Sequence, residues 1–269
     1  MRGDTEARVR EVGPQPATSD MWRPVAVPQA RRPGAGERSL KRFARFLGRN
    51  LLREFRAVVV APVREVVRRG LSGILLAFLA SAAVLVLHAV DQSATGATLV
   101  RLTSHVRGDV SLPVVVLRTP LSLFVPARDL PAWPGIPVLF LAVALAQLLL
   151  GPARTVVVAY AVSLAGTLSA RVMIAAGPGW WGLPPEAAHV IDTGASAAVV
   201  GLFAHIATVK RAPVLFLCAV GPTVVRSFQK PNLAGHEHIV AITVAVALGF
   251  LATRRGGRSP LSGRAHSSS

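Results

Sequence analysis

Acidic residues, lysine and cysteine are all scarce in this chain of 269 residues. Asp and Glu number 13 against 30 Lys and Arg, which gives a net charge of +17, and only three of the basic residues are lysine. The single cysteine, Cys218, excludes an internal disulfide, so no oxidised framework is expected. The sequence also has no His, Cys, Asp and Glu cluster with metal-ligand spacing, so neither a metal nor another cofactor is predicted.

An early apolar run and an internal repeat are also missing. The first long apolar run follows about seventy polar or basic residues, which is too late for a secretory signal peptide. The lack of a repeat disfavours a transporter built from duplicated halves.

Apolar residues are abundant. They make up 52% of the chain, and the mean hydropathy is +0.50. Apolar stretches near membrane-spanning length recur, so the sequence predicts an all-α membrane protein with several spans. Six spans are predicted, at residues 71–90, 136–150, 156–176, 192–208, 212–225 and 236–253. Residues 91–135 carry five prolines and are predicted to form a long mixed loop whose apolar patches are too short to cross.

Composition divides the chain into four parts. Residues 1–39, rich in Pro, Gly and Arg, are predicted to be a disordered basic tail. Residues 40–69 predict a basic amphipathic helix that Pro62 breaks or kinks. Such a helix suits an anionic membrane surface, and the alternative is a short cytoplasmic helix packed on its own protein. The transmembrane domain covers residues 70–253, and residues 254–269 are predicted to be a basic, disordered tail.

The distribution of the basic residues predicts the orientation. If both termini are cytoplasmic, 23 Lys and Arg lie on inner segments and 7 on outer ones. This satisfies the positive-inside rule, so the basic charge is explained by a membrane and requires no nucleic-acid partner. The Arg-, Ala-, Gly- and Val-rich composition suits a bacterial genome. We therefore expect a protein of the bacterial cytoplasmic membrane, with membrane lipids among its partners.

A serine and a histidine are the candidate chemical groups. Ser196 lies in DTGASAAVVGL, residues 192–202, among small residues that let membrane helices approach closely. Its alternative role is packing. His238 enters span six and is followed by small residues at spacings of three, four and four: Ala241, Ala245 and Gly249. Ionisable groups in a span are candidates for function, although this histidine also fits a membrane interface without a role.

Ser196 and His238 are expected to lie at similar depth. Counting helical rise from the basic residues at the inner ends places them roughly 21 Å and 24 Å above that boundary. A serine hydroxyl at that position can hydrogen-bond a neutral imidazole, the base that takes its proton. The sequence therefore predicts a Ser196–His238 pair.

These residues resemble motifs of the rhomboid family of intramembrane serine proteases. The family's fourth core helix typically begins G-A-S-G-A, and GASAAVVGL is similar, with Ala197 in place of the second glycine. Its sixth helix carries a histidine followed by small residues three and seven positions on, a spacing that His238 fits and His236 does not. Residues 148–168 resemble the family's turn between its second and third helices. Residues 91–135 resemble its membrane-embedded first loop.

The resemblance implies a six-helix rhomboid-like bundle over about residues 71–253. It implies that Ser196 attacks a substrate carbonyl, that His238 acts as base and then acid, and that substrates are single-span membrane proteins. A divergent bacterial rhomboid-like branch has an aspartate before the serine segment and often a glutamate before the histidine, as here; the aspartate equally fits an N-terminal cap. The supporting or oxyanion candidates are Asp192, Gly194, Ala197, His236 and Glu237.

Span two departs from the family pattern. Active members usually carry a histidine and an asparagine there that help bind the oxyanion, whereas IPVLFLAVALA has neither, and Gln147 lies near the inner end. The backbone N–H of Ser196 and its neighbour, or a first-loop group such as His105, are the remaining donors. Losing one donor costs on the order of 10²–10³ in rate. A catalytically inactive scaffold that binds transmembrane helices is therefore the alternative, and an unrelated small transporter is a third.

Overall fold

The structure, a computed structural model, describes residues 35–104, 111–125, 132–179, 182, 195–229 and 232–256. Every regular element within these ranges is helical. The α-helices are, in chain order, α1 Ala35–Phe55, α2 Ala61–Arg69, α3 Leu75–Asp91, α4 Ala94–Ser104, α5 Leu112–Ser122, α6 Ala132–Leu150, α7 Pro152–Ala176, α8 Ala195–Lys210, α9 Pro213–Ala219, α10 Gly221–Gln229 and α11 Leu233–Gly256.

Four helical stretches of the described chain are long and apolar enough to cross a membrane. These are Arg45–Asp91, Trp133–Leu150, Pro152–Ala176 and Leu233–Arg255. Many of their large apolar side chains are exposed, including Leu79, Val86, Leu141, Val157 and Val172. An apolar surface of this extent suits lipid and not water. The apolar helices thus indicate a membrane protein. The remaining predicted spans correspond to shorter apolar helices, α8 and the pair α9–α10, so the number of six crossings and the orientation stay predictions.

The predicted amphipathic helix is helical throughout but begins earlier than expected. α1 starts at Ala35, so residues 35–39 are helical where a disordered tail was predicted. Residues 1–34, the rest of that predicted tail, lie outside the described residues.

The expected disturbance at Pro62 takes the form of a π-helical turn. Pro62 lies at the start of α2 and has no N–H, so the regular ladder is interrupted there. The residues just before it, Arg56–Val60, widen to π geometry, and the Ala61 N–H bonds to the carbonyl of Arg56. A 3₁₀ segment, Gly70–Ile74, then leads into α3.

The prediction of a long loop over residues 91–135 is wrong for much of its length. α4 and α5 are helices of 11 residues each, and neither is among the membrane-crossing candidates. Two of the five prolines lie within α5. Pro113 is in its first turn, where a missing N–H costs nothing, and Pro120 is inside the helix near its end. Residues 105–110 and 126–131 lie outside the described residues.

The predicted ends of spans two and six also shift. α6 begins at Ala132, ahead of the predicted residue 136. α11 continues to Gly256, so Arg254 and Arg255 are helical where a disordered tail was predicted. Cationic side chains in a last turn favour the negative end of the helix dipole, which explains the extension.

α8 is the central helix of the bundle. It packs against α6, α7 and α11, and ten of its 16 residues are buried. Glycines make these contacts close. A Cβ at Gly201 would lie 2.6 Å from a methyl of Val162 on α7. A Cβ at Gly249 of α11 would lie 2.8 Å from the Cβ of Thr208. The small residues therefore bring α7 and α11 onto α8, as membrane helices require.

Candidate active site

A serine at the head of α8 and a histidine in the second turn of α11 face each other. Ser196 Oγ lies 3.0 Å from His238 Nε2, within hydrogen-bonding distance. When the neutral imidazole carries its proton on Nδ1, the hydroxyl donates to Nε2. The Ser196 side chain is exposed and His238 is half-buried, so the hydroxyl is open to another molecule. The structure thus brings together the two residues that the sequence paired, while their catalytic role stays a prediction.

The contact between α8 and α11 that positions this pair depends on small side chains. Ala241 and Ala245, which follow His238 on its helix face, are fully buried. Further along, Gly249 lies against Thr208 of α8. Because these side chains are small, the two backbones approach closely and bring Ser196 and His238 within hydrogen-bonding distance.

A second histidine joins the same two helices and was missed from the sequence. His205 of α8 is buried, and its Nδ1 lies 3.1 Å from the carbonyl oxygen of Ala245. A carbonyl only accepts, so this Nδ1 carries the proton and donates. The available signal was an ionisable residue inside an apolar helix, which is rare without a reason. This hydrogen bond links α8 to the backbone of α11.

α7 supports α11 behind the site. Glu237, next to His238, is buried, and a Cβ at Gly166 of α7 would lie 3.4 Å from its carbonyl oxygen. That is ordinary van der Waals contact, so the backbone of α11 rests on α7 at the level of the histidine. The Glu237 backbone therefore lies against α7, while the neighbouring His238 imidazole contacts Ser196.

The other predicted supporting residues are placed as follows. The Nδ1–H of His236 donates to the carbonyl oxygen of Asn232, 2.8 Å away, so this ring is engaged with its own first helical turn. Ala197 is buried beside Ser196. Asp192, Gly194 and also His105 lie outside the described residues, so their suggested roles stay predictions.

Gln147 has a structural task at the other end of the bundle. Its side-chain oxygen accepts from the N–H of Leu76, 2.9 Å away, and its amide donates to the carbonyl of Ser72 at 3.3 Å. These contacts satisfy backbone groups at the start of α3, where the N-cap residue makes no side-chain hydrogen bond. Gln147 is therefore committed to capping α3, which agrees with the expectation that it does not bind an oxyanion.

A groove of about 700 Å³ lies on α9 and α10, and α10 packs against α11. Its lining is mixed apolar and polar: Leu217, Gly221, Pro222, Val225, Arg226 and Gln229.

Among the described residues, no group of three or more His, Cys, Asp or Glu could hold a metal ion.

No protein-family model matches this chain, and no curated protein or solved structure matches it either. The resemblance to the rhomboid family therefore rests on the sequence motifs alone and stays a prediction.

Proposed function

We propose that this protein is a rhomboid-like intramembrane serine protease that cleaves single-span membrane proteins through Ser196 and His238. The observation that carries the proposal is the 3.0 Å contact between Ser196 Oγ and His238 Nε2. An exposed hydroxyl paired with an imidazole is the arrangement that activates a serine nucleophile. The surrounding apolar helices support a membrane as the place where it would act.

The proposed reaction uses only these two side chains. The Ser196 oxygen attacks the carbonyl carbon of the substrate peptide while its proton passes to His238 Nε2. The tetrahedral intermediate collapses, the C–N bond breaks, and the imidazolium returns the proton to the leaving amine. Water, deprotonated by His238, then attacks the acyl-enzyme ester and releases the new carboxyl end and the free serine hydroxyl.

The developing oxyanion needs hydrogen-bond donors, and the start of α8 offers them. The first N–H groups of a helix have no partner within that helix, and they lie at the positive end of its dipole. Ser196 and Ala197 are the second and third residues of α8 as described. Their backbone N–H groups would take the role for which α6 provides no polar side chain in its outer part. Lacking one such side-chain donor, the enzyme would be slow by about 10²–10³.

The membrane arrangement we propose has six crossings, with both termini in the cytoplasm of a bacterium. α8 and the pair α9–α10 would be the fourth and fifth crossings. At 1.5 Å per residue, the 16 residues of α8 reach about 24 Å, which is short for a bilayer core of about 30 Å. The burial of α8 among other helices supports its crossing, because a short helix shielded by protein need not span the full thickness of lipid.

A reactive-serine probe tests the proposal. Purified protein in detergent would be treated with a fluorophosphonate, beside Ser196→Ala and His238→Ala. A matched control is Ser227→Ala, which removes a helical hydroxyl that donates to the carbonyl oxygen of Thr223 in its own turn. We expect labelling of the wild type and of Ser227→Ala, none of Ser196→Ala, and at least about a hundredfold slower labelling of His238→Ala. If the folded wild-type protein does not react with the fluorophosphonate, the protease proposal is wrong.

A second candidate is a catalytically inactive scaffold of the same fold that binds transmembrane helices. The apolar outer part of α6 favours it, since no side-chain oxyanion donor lies there. The scaffold predicts that Ser196→Ala leaves client binding unchanged, and that the probe labels neither variant nor wild type.

A further inference from the structure

A segment of the chain preceding the bundle, residues 46–60, presents three different faces. We call it the surface segment. One narrow face turns toward the protein: Asn50 is half-buried, Glu54 is buried, and Val58 packs against the core. These three residues follow one another at four-residue spacing, so they form one stripe along the helix. The rest of the circumference is free of this contact.

A second face of the surface segment is apolar and exposed. Leu47, Leu51, Phe55 and Val59 repeat at four-residue spacing, and 43% of Leu51 and 55% of Phe55 remain accessible. Four large apolar side chains in one stripe form a continuous surface that water disfavours. This face therefore needs an apolar phase to cover it.

The third face is basic. Arg49, Arg53 and Arg56 are all exposed. The surface segment contains one acidic residue, Glu54, and that carboxylate is buried. The exposed formal charge of the segment is therefore entirely positive. A surface of this kind attracts anionic groups.

Glu54 fixes how the other two faces are presented. Its Oε1 accepts a hydrogen bond from the N–H of Leu215, 2.6 Å away, in the first turn of α9. The N-cap residue of α9, Ala212, makes no side-chain hydrogen bond, so the carboxylate of Glu54 satisfies a donor at the positive end of that helix. An exposed carboxylate would repel anions. The carboxylate of Glu54 instead lies against the bundle and helps to hold the surface segment there.

We propose that the surface segment is a docking surface for anionic phospholipids. The segment belongs to the continuous helical stretch Arg45–Asp91, which is itself a membrane-crossing candidate, so the segment lies beside the bilayer. Only a bilayer surface supplies phosphates for the arginines and acyl chains for the apolar stripe next to each other. A nucleic acid or a free phosphate would leave Leu51 and Phe55 in water. The proposal holds whether or not Ser196 is a nucleophile.

Lipid selectivity of the full-length protein tests this surface. The protein would be reconstituted in phosphatidylcholine, and the binding of spin-labelled phosphatidylglycerol and phosphatidylcholine compared by electron paramagnetic resonance. We expect a preference for phosphatidylglycerol that falls by up to about fivefold per arginine in Arg49→Gln/Arg53→Gln/Arg56→Gln. A control with the same charge change, made elsewhere, is Arg101→Gln/Arg118→Gln/Arg171→Gln, which should retain the preference. Equal selectivity in the two triple variants would overturn the proposal.

A second measurement uses the apolar face and does not depend on the arginine variants folding. In a Cys218→Ala background, a nitroxide would be placed at Leu51→Cys or at Arg53→Cys in bilayers containing phosphatidylglycerol. We expect the label at position 51 to be accessible to oxygen and protected from a water-soluble nickel complex, and the label at position 53 to show the reverse. A label at position 51 exposed to nickel would overturn the proposal, because the stripe would then face water. Protection of the label at position 51 from both oxygen and the nickel complex would also overturn the proposal, because it would mean that protein covers the apolar stripe.

Discussion

α8 and the pair α9–α10 are apolar helical stretches of similar length, but they are packed in opposite ways. α8 has 16 residues with ten buried, whereas α9 and α10, with 7 and 9 residues, contain no buried residue. Both are too short to count among the four membrane-crossing candidates. Their apolarity therefore does not determine their place in the fold.

The difference in burial between α8 and the pair α9–α10 follows from the size of their side chains. α8 is rich in alanine and carries Gly201, so neighbours approach it from several sides. The pair α9–α10 is most buried at its junctions, Ala212 and Val220, and elsewhere packs on the core with partly buried side chains such as Leu215 and Val224. Ser196 thus stands on the most buried helix, while α10, which packs against α11 near His238, is one of the least buried. The comparison contrasts a buried support for the serine with a neighbouring helix that lies at the surface of the bundle.

Hydrogen exchange gives the largest expected contrast. Local opening needs less free energy where few apolar contacts must break, so amides of α9–α10 should exchange faster than those in the middle of α8. We expect a difference of about a hundredfold, measured by mass spectrometry of the protein in nanodiscs. Equal protection of the amides in α8 and in α9–α10 would contradict the expected difference in local stability.

Gly201→Val tests the close approach of α7 to α8. A Cβ at Gly201 would lie 2.6 Å from a methyl of the fully buried Val162, whose β-branched side chain has little freedom to move. We expect a loss of about 3 kcal/mol in the free energy of unfolding, measured in mixed micelles. The control, Gly48→Val, adds the same atoms where nothing lies within 4 Å, and should change stability by less than about 0.5 kcal/mol. If Gly201→Val/Val162→Ala recovers no stability, the clash is not the cause.

His205→Ala tests the link between α8 and α11. It removes the donor to Ala245 and leaves a space in a buried position, so we expect a loss of about 2 kcal/mol. His205→Asn retains an amide N–H in nearly the same place and should lose less than half as much. Thermal unfolding of the three proteins side by side provides the measurement. The link would be discounted if both variants lost the same stability.

Glu54→Ala should have the smallest effect on the free energy of unfolding, and it should change amide hydrogen exchange only near the contact of Glu54 with α9. It deprives the N–H of Leu215 of its acceptor, which costs about 1 kcal/mol for a lost helix cap. We expect faster exchange in α9 without a change in α8. Glu54→Gln keeps an acceptor oxygen and should exchange much like the wild type. Faster exchange spread evenly over the bundle would contradict a capping role.

The helices and the candidate pair were predictable because their signals are local. The spans were located from long apolar runs. The amphipathic segment and the small-residue stripe after His238 follow from helical periodicity. Ser196 and His238 were paired by counting residues from basic helix ends, and the structure places the two side chains in contact. The prediction of a long loop over residues 91–135 rested on its prolines, yet α5 contains two of them, Pro113 in its first turn and Pro120 inside the helix near its end, so proline content alone did not exclude a helix.

The sequence by itself determined which stretches are apolar and which carry small residues, and it located the helices other than α4 and α5, because apolar runs and helical periodicity are local signals. It did not determine which neighbour each face meets. Only the tertiary structure placed Gly201 against α7, gave His205 its acceptor on α11, and made Glu54 and Gln147 caps of helices 161 and 71 residues away. Such contacts depend on how helices pack, and a local pattern carries no information about a partner so distant in the chain.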